Sequence, residues 1–166
     1  MKNQNEIYDV LLNLDFFKFF KDNPERLGVV VKYLKYKKFK KGDIVIEEDE
    51  IGDSLYIIKK GTVRIEKKTF NNDRFTVIVL KDKEHVFFGE ISLLRDAKRT
   101  ATVICEEDSE FLILNRVDFN KICEEDNYIG MIIYKKIANI LAERLIKADQ
   151  DIITLFNALV QEIEEG

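Results

Sequence analysis

The stretch FGEISLLRDAKRTATV, residues 88–103, differs in character from the short apolar runs around it. Gly89 would let the backbone come close to a ligand, because glycine has no Cβ and tolerates unusual dihedral angles. Residues 90–94 have room for one or two helical turns, which is too short an element to be there for packing alone. The free N–H groups at the start of such a turn bind anions when they face a concave surface. The stretch therefore predicts an anion site.

Arg99, which follows the turn, favours the same interpretation. If a strand starts near Arg99, its period of two places the guanidinium on the same inward face as Ala101 and Val103. A buried arginine without a counter-ion is very unfavourable, so an anion must lie close to it. Glu90 could be that anion, but the N–H groups of the turn would then be unused. A phosphate from solution would satisfy both.

The chain on either side of this turn consists of short β-rich runs separated by turn signals. The runs are 44–46, 55–58, 62–66, 75–80, 101–105 and 111–114. The turn signals lie at 41–43, 51–53, 60–61 and 71–73. Many short strands without strand–helix–strand alternation predict an antiparallel sandwich or barrel.

Helical spacing frames these strands on both sides. The helical segments are 6–39, with a second start signal at 23–25, then 117–123 and 128–164. At the second start, Asn23 is a candidate capping side chain, and a proline and an acid follow it. The strand region is therefore expected to lie between two helical regions.

The last helical segment carries a heptad seam. Apolar residues recur at alternating steps of four and three, namely Tyr134, Ala138, Leu141, Leu145, Ala148, Ile152, Leu155 and Leu159. A helix of this length projects roughly 50 Å, which is too far for a small barrel to cover the whole seam. The seam predicts pairing with a partner chain. The alternative is an amphipathic helix folded back on its own barrel, chiefly over its first half.

The composition excludes several function classes. The 27 Lys and Arg residues against 31 Asp and Glu residues give a net charge of -4, a poor balance for binding DNA or RNA. There is neither a run of roughly 20 apolar residues nor a signal core behind the N-terminus, so we expect a cytoplasmic protein and no membrane partner. Cys105 and Cys123 are too few for a disulfide framework and are not spaced as a metal knuckle. With His85 as the only histidine, a metal site built from several histidines is excluded, and no glycine-flanked nucleophile elbow accompanies His85 to form a catalytic triad. No enzyme activity, metal or cofactor is expected.

These features together resemble the cyclic-nucleotide-binding domain family, the module of protein kinase A regulatory subunits, cyclic-nucleotide-gated channels and the bacterial catabolite activator protein. The resemblance covers about residues 11–145 and rests on 41–44, 55–58 with Gly61, the phosphate-binding cassette 88–94, and 99–103. The nine-residue interval from Glu90 to Arg99 agrees with the eukaryotic members. The resemblance implies an α+β fold, an antiparallel β-roll (jelly-roll, double-stranded β-helix) with N-terminal helices and a long C-terminal helix.

The domain organisation expected from this resemblance is one domain with a helical arm. Its segments are N-terminal helices over 1–40, a nucleotide-binding β-roll over 41–116, and hinge and dimerisation helices over 117–166. Because the sequence stops at Gly166, without room for a DNA-binding domain, a free-standing sensor is expected. Its output would be an unknown downstream protein or its own assembly as a homodimer.

The resemblance also assigns roles at the site. Arg99 would pair with the exocyclic oxygens of a cyclic phosphate, and Glu90 would accept a hydrogen bond from the ribose 2′-hydroxyl. Backbone N–H groups near Ile91 and Ser92 would complete the phosphate cradle. The full set of expected ligand-binding residues is Gly89, Glu90, Ile91, Ser92, Arg99 and Thr100.

The choice of base remains open at this level. Thr100 resembles the residue with which some members contact the guanine amino group, yet bacterial cAMP binders also carry hydroxyl residues there. Ala148 and Asp149 fall near where the bacterial activator contacts the base, although a simple surface aspartate is the preferred interpretation of Asp149. On family grounds cAMP is expected first, with cGMP close behind.

Two turns depart from the family pattern, and two further segments have alternative interpretations. The family usually has glycine where this chain has Asp49, and often Gly-Asp where it has His85 and Val86; neither position contacts phosphate in the family. The acidic run 47–50 lacks the ligand spacing of a calcium loop and is interpreted as a solvated turn. The basic run 32–41 could suggest nucleic acid or anionic lipid but is interpreted as solvent-exposed lysines. The rival function is an interaction or oligomerisation module whose pocket has lost its ligand.

Overall fold

The protein is described here from a computed structural model that covers residues 2–14, 17–71, 73–82 and 86–165. Asn72, in the turn predicted at 71–73, and His85, in a turn that departs from the family pattern, lie outside the described residues. The chain divides into two compact units, the first ending at Gly130 and the second starting at Met131. In the described part of the chain, no helix has both the length and the apolar character needed to span a membrane.

Within the residues that the structure describes, ten strands and five α-helices follow one another. The strands are β1 Lys35–Phe39, β2 Ile44–Ile46, β3 Ile51–Gly52, β4 Ser54–Lys60, β5 Thr62–Lys68, β6 Arg74–Lys81, β7 Phe87–Phe88, β8 Ala97–Lys98, β9 Thr102–Cys105 and β10 Ser109–Asn115. The helices are α1 Lys2–Asn13, α2 Pro24–Tyr33, α3 Ile91–Leu94, α4 Arg116–Glu125 and α5 Asn127–Glu165, and a short 3-10 helix spans Lys18–Phe20.

The strands form two four-stranded antiparallel sheets and one two-stranded ribbon. One sheet has the order β1-β10-β4-β7, the other has the order β2-β9-β5-β6, and β3 pairs with β8. Residues from both large sheets meet in one buried cluster of Ile46, Ile58, Val63, Phe88, Val103, Cys105 and Phe111. Burial of this apolar surface between the sheets is the main source of stability for the roll. The predicted antiparallel β-roll with flanking helices is confirmed.

The first strand begins earlier than the sequence pattern predicts. Helical spacing is continuous to Phe39, but α2 ends at Tyr33 and Leu34 takes extended dihedral angles. The following residues form β1, which pairs with β10 in register. Aromatic residues at steps of three fit a helix, yet here they belong to a lysine-rich strand at the edge of a sheet, where charged side chains discourage pairing with other chains. The helical prediction for 35–39 is therefore wrong.

Other boundaries differ by a few residues. The predicted helix start at 23–25 is confirmed, but the Asn23 side chain makes no capping hydrogen bond, and the Asn23 carbonyl oxygen instead accepts one from the Arg26 N–H at 3.2 Å. The turn predicted at 51–53 contains the short strand β3. The run predicted over 101–105 begins one residue later, because β9 starts at Thr102.

The C-terminal helices match their prediction closely. The segment predicted at 117–123 is α4, whose start is capped by the Asn115 side chain accepting from the Asp118 N–H at 2.8 Å. The segment predicted at 128–164 is the 39-residue helix α5. The large apolar seam residues of its distal half, Leu145, Ile152, Leu155 and Leu159, are all exposed.

Candidate functional site

Gly89 connects β7 to the short helix α3 through a backbone conformation that favours glycine. Its φ is +80°, in the left-handed region. A Cβ at this position would lie 2.8 Å from Arg99 Nη1 and 2.8 Å from the Ser54 carbonyl oxygen. Glycine is therefore required here by its dihedral angle and by the space available. The sequence predicts that the Gly89 backbone comes close to a ligand, and in the structure this backbone lies against Arg99 and β4.

The turn after Gly89 is the one-turn helix that the sequence predicts. Glu90 and Ser92 are buried, with exposed fractions of only 2% and 3%. The Ser92 N–H donates to the Gly89 carbonyl oxygen at 3.2 Å, and the Leu93 N–H donates to the Glu90 carbonyl oxygen at 3.1 Å. The Ser92 N–H therefore already has an acceptor within the chain, and an anion at this turn would have to share that donor. The sequence pattern does not reveal this acceptor.

The guanidinium of Arg99 lies against the turn and against β4. Its Nη1 donates to the Ser92 hydroxyl at 2.7 Å, and its Nη2 donates to the Ser54 carbonyl oxygen at 3.0 Å. The carbon at its centre lies 5.9 Å from the centroid of the Tyr56 ring, within cation–π range. In the described part of the chain, both hydrogen bonds of the guanidinium thus go to neutral oxygens.

The electrostatic environment of Arg99 reflects this arrangement. Burial lowers the pKa of the guanidinium below its ordinary value, because desolvation disfavours the charged form. Attraction by Tyr56 and Asp53 and, more weakly, by Glu90 opposes that shift without overcoming it. The positive charge is therefore held in a half-buried position where a further anion would stabilise it.

The backbone of Arg99 is fixed by pairing with the acidic turn, and β9 does not include it. The Arg99 N–H donates to the Glu50 carbonyl oxygen at 2.8 Å, and the Asp49 N–H donates to the Arg99 carbonyl oxygen at 3.0 Å. Asp49, at the position where glycine is usual in the family, adopts a positive φ of 72°. The expectation that a strand starting near Arg99 aims the side chain inward is wrong, because β9 starts at Thr102. The side chain turns inward from the preceding loop.

This geometry agrees with a comparison against known protein families. Residues 36–126 match the family described as "Cyclic nucleotide-binding domain". The match covers more than half of the chain and includes the Gly89 turn, α3 and Arg99. The chain belongs to the cyclic nucleotide-binding domain family. Domains of this family bind a nucleotide and do not catalyse a reaction, although some relatives are kinases with separate catalytic domains.

Individual relatives share the same region. The chain is 27% identical over 129 residues to the cyclic AMP receptor protein of Thermus thermophilus, covering 78% of this chain and 57% of that protein. It is 34% identical over 103 residues to human cGMP-dependent protein kinase 2, covering 61% of this chain and 13% of the kinase. Against the crystal structure of the Thermus thermophilus catabolite activator protein, the TM-score is 0.72 at 26% identity, covering 82% of this chain and 62% of that one. The chain thus spans less than two thirds of the length of these relatives.

Three of the six family site residues come into direct contact. The Arg99 guanidinium donates to the Ser92 hydroxyl and leaves no room for a Cβ on Gly89. Glu90 is buried at the start of the turn, whereas Thr100 is exposed in the bend before β9. The sixth, Ile91, is half-buried at the first position of α3. Their roles toward a ligand remain predictions.

Three residues around Arg99 were not identified from the sequence. A Cβ at Gly52 would lie 2.0 Å from Arg99 Nε, so the guanidinium rests directly on a bare Cα. Ser54 supplies a carbonyl oxygen, and Tyr56 supplies a ring face. The only local sign of the role of Gly52 is that a glycine lies just before a strand. The same pattern is typical of an ordinary turn residue.

Proposed function

We propose that this chain is a non-catalytic sensor that binds a cyclic purine mononucleotide, cAMP or cGMP, at the Gly89 turn and Arg99. A cyclic phosphate carries a single negative charge on two exocyclic oxygens. That group suits a planar guanidinium, which can donate parallel hydrogen bonds to two oxygens. In this proposal Glu90 accepts from the ribose 2′-hydroxyl, while Ile91, Ser92 and Thr100 line the rest of the site.

The observation that carries the proposal is the state of Arg99. A half-buried guanidinium with a lowered pKa, bonded to a hydroxyl and a carbonyl oxygen, lacks full compensation of its charge. These contacts offset only part of the desolvation of the guanidinium, and a buried charge without an anion is costly. An incoming phosphate would supply that anion.

The test compares Arg99→Leu with Arg95→Leu by titration calorimetry with cAMP and cGMP. Arg95 is an exposed arginine at the end of the same turn, where its Nε donates to the Asp96 carbonyl oxygen at 3.4 Å. A charge-assisted contact contributes about 1.5–3 kcal/mol, and each factor of ten in affinity requires about 1.4 kcal/mol. We therefore expect Arg99→Leu to weaken binding roughly ten- to hundredfold, and Arg95→Leu to leave it unchanged.

Two results would reject the assignment. One is an affinity of the Arg99→Leu variant that equals that of the Arg95→Leu variant. The other is the failure of both nucleotides to bind, or to raise the melting temperature of, the unmodified chain, since a ligand of the native state stabilises it by mass action. The second result would favour the rival function, an interaction module with a degenerate pocket.

We infer cAMP as the preferred ligand, with cGMP second. One relative is named for cyclic AMP and another for cGMP, so the family leaves both open. The exposed Thr100 hydroxyl is the candidate for discriminating the base, and Asp149 keeps its interpretation as a surface aspartate. A Thr100→Ala variant that loses cGMP affinity while keeping cAMP affinity would assign the hydroxyl to guanine.

The proposed signal is a movement of the C-terminal helices. Nucleotide would tighten the turn around Glu90 and Arg99, and its apolar neighbours would draw in the start of α5. A ligand achieves this only by binding one arrangement more tightly than the other. We expect amide-exchange protection within residues 117–160 to change on saturation with nucleotide. Identical exchange with and without nucleotide would refute the coupling.

We also propose that the chain forms a homodimer through α5. The seam residues Leu145, Ile152 and Leu155 are exposed in the isolated chain, and a heptad seam is buried when a second helix packs on it. The mass of the full chain in sedimentation equilibrium tests this. A single-chain mass at all concentrations would rule it out, independently of nucleotide binding.

A further inference from the structure

Arg116, the first residue of α4, is bonded to both strands of the ribbon formed by β3 and β8, at the end where their pairing stops. The last paired residues at this end are Gly52 and Ala97. The Arg116 N–H donates to the carbonyl oxygen of Asp53, which follows Gly52, at 2.7 Å. The Arg116 guanidinium pairs with the carboxylate of Asp96, which precedes Ala97. One residue of α4 therefore holds this end of the ribbon together.

The same ribbon sets the position of the Arg99 guanidinium. Arg99 directly follows β8, and its side chain lies against the bare Cα of Gly52 in β3. Its Nη2 donates to the carbonyl oxygen of Ser54, two residues beyond Gly52, at 3.0 Å. Because the guanidinium is fixed by both strands, the relative position of β3 and β8 decides whether it lies at the Gly89 turn.

The ribbon is too short to hold that position alone. It contains only two residue pairs, and even a longer two-stranded hairpin is marginally stable by itself. Beyond Lys98 the pairing is continued by the hydrogen bonds between the Arg99 backbone and the acidic turn. At the opposite end the two bonds of Arg116 take the place of a further pair.

We propose that Arg116 is a positioning residue for the nucleotide site, which it holds in its binding arrangement through Asp96 and Asp53. This inference rests on the proposed function and deepens it, because it assigns a connection between the site and the helices that follow. Since Arg116 begins α4, a shift of that helix and a shift of the ribbon are coupled. A site that is ordered before the ligand arrives loses less freedom on binding, so loss of these bonds weakens nucleotide binding.

The exposure of the ion pair limits the size of this effect. The Arg116 side chain is 23% exposed and the Asp96 side chain is 79% exposed. Ion pairs near the surface change an equilibrium by up to about fivefold. Salt screens such pairs, and at about 1 M salt their contribution is largely lost. A role of Arg116 in packing alone would not depend on salt in this way.

The test is a double-mutant cycle in cAMP affinity, measured by titration calorimetry on the full chain at low and high salt. Asp96→Asn removes the charge with little change of shape, and Arg116→Gln removes the guanidinium but keeps the backbone N–H. Asp108→Asn is the matched control, because it removes another exposed carboxylate, which pairs with Lys40 at 2.6 Å. The melting temperature and far-UV circular dichroism of each variant establish that the fold is intact.

At low salt we expect each single variant to bind about two- to fivefold more weakly than the unmodified chain. The double variant should bind no more weakly than either single variant, and Asp108→Asn should bind like the unmodified chain. Equal affinities of Asp96→Asn and Asp108→Asn would overturn the proposal. Additive losses in the double variant would also overturn it, because the two residues would then act separately. So would a loss in Asp96→Asn that is the same at high salt.

A second measurement needs no nucleotide. The N–H groups of Arg99 and Arg116 donate to carbonyl oxygens at the two ends of β3. Their amide exchange should be faster in Asp96→Asn than in Asp108→Asn, because the ribbon opens more often. Equal exchange in the two variants overturns the positioning role. Failure of the unmodified chain to bind nucleotide instead rejects the proposed function, and with it the role of Arg116 toward a nucleotide.

Discussion

The position of the Arg99 guanidinium depends on a bare Cα at Gly52, and Gly52→Ala tests that dependence. The added Cβ would lie 2.0 Å from Nε, 2.2 Å from Cζ and 2.7 Å from Cδ of Arg99. Carbon and nitrogen atoms pack at about 3.5 Å or more, so the guanidinium must leave its present place. The Gly52 backbone is in a strand, with no positive φ, and accepts alanine without conformational strain.

The magnitude follows from what Arg99 would lose. Displacement breaks its hydrogen bonds to the Ser92 hydroxyl and the Ser54 carbonyl oxygen and moves its charge away from the Gly89 turn. If the guanidinium can no longer reach the phosphate, the loss approaches the full contact of about 1.5–3 kcal/mol, or roughly ten- to hundredfold in nucleotide affinity. The melting temperature should fall much less, because a long flexible side chain can turn toward solvent.

The assay is a double-mutant cycle in nucleotide affinity, read by titration calorimetry. Gly52→Ala, Arg99→Leu and the double variant are compared with the unmodified chain. Because Gly52 acts only through the guanidinium, Gly52→Ala should weaken binding in the unmodified background and have no effect once Arg99 is leucine. Such a coupling energy distinguishes positioning from an independent contact or a general loss of fold.

Two outcomes would contradict this reasoning. An affinity of Gly52→Ala within twofold of the unmodified chain would mean that Arg99 reaches the phosphate from another place. Equal losses in the two backgrounds would mean that Gly52 acts independently of Arg99. Failure of the unmodified chain to bind nucleotide would instead count against the proposed function. That result is distinct from the two outcomes that contradict the role of Gly52.

Two further predictions concern stability. Gly61 and Gly42 both have positive φ, +105° and +86°. A Cβ at Gly61 would lie 2.3 Å from the Oγ and 2.9 Å from the Cα of Ser109, whereas no atom lies within 4 Å of a Cβ at Gly42. In urea unfolding, Gly42→Ala should cost about 1–2 kcal/mol of backbone strain and Gly61→Ala about 1–3 kcal/mol more from overpacking; equal losses would show that the packing around Ser109 relaxes. A hydrogen bond from Tyr36, followed by lysine contacts, lowers the pKa of Glu110 from 4.5 to about 2. The stabilisation by its carboxylate is therefore complete above pH 4.5 and lost as the pH falls toward about 2. The stability difference from Glu110→Gln should shrink over that range, and a difference that is constant with pH would contradict the shift.

The features that could be predicted from the sequence are those with a local cause. The one-turn helix after Gly89 follows from that glycine and from residues 90–94, which have room for one or two helical turns. The helix α5 follows from a heptad repeat along a single segment. The strand β1 could not be predicted in this way. Its aromatic residues at steps of three fit a helix equally well, and only pairing with β10, far along the chain, makes Lys35–Phe39 a strand.

The residues around Arg99 were missed for the same physical reason. Arg99 and Ser54, which supplies its carbonyl acceptor, are 45 positions apart. No spacing rule links them, and the clearance at Gly52 exists only after β3 has paired with β8. A glycine that makes room for a distant side chain has the same local sequence as one that makes a turn.

The inward position of Arg99 was expected from a strand period, and the structure reaches the same position by another route. The residue lies outside β9, and hydrogen bonds to Glu50 and Asp49 fix its backbone. This pairing explains why an acidic turn can replace the family's usual glycine. Asp49 must take a positive φ to donate its N–H to the Arg99 carbonyl oxygen, and aspartate is among the few non-glycine residues that adopt such angles readily. The turn at Asp49 therefore serves the site indirectly, by holding the backbone from which the guanidinium extends.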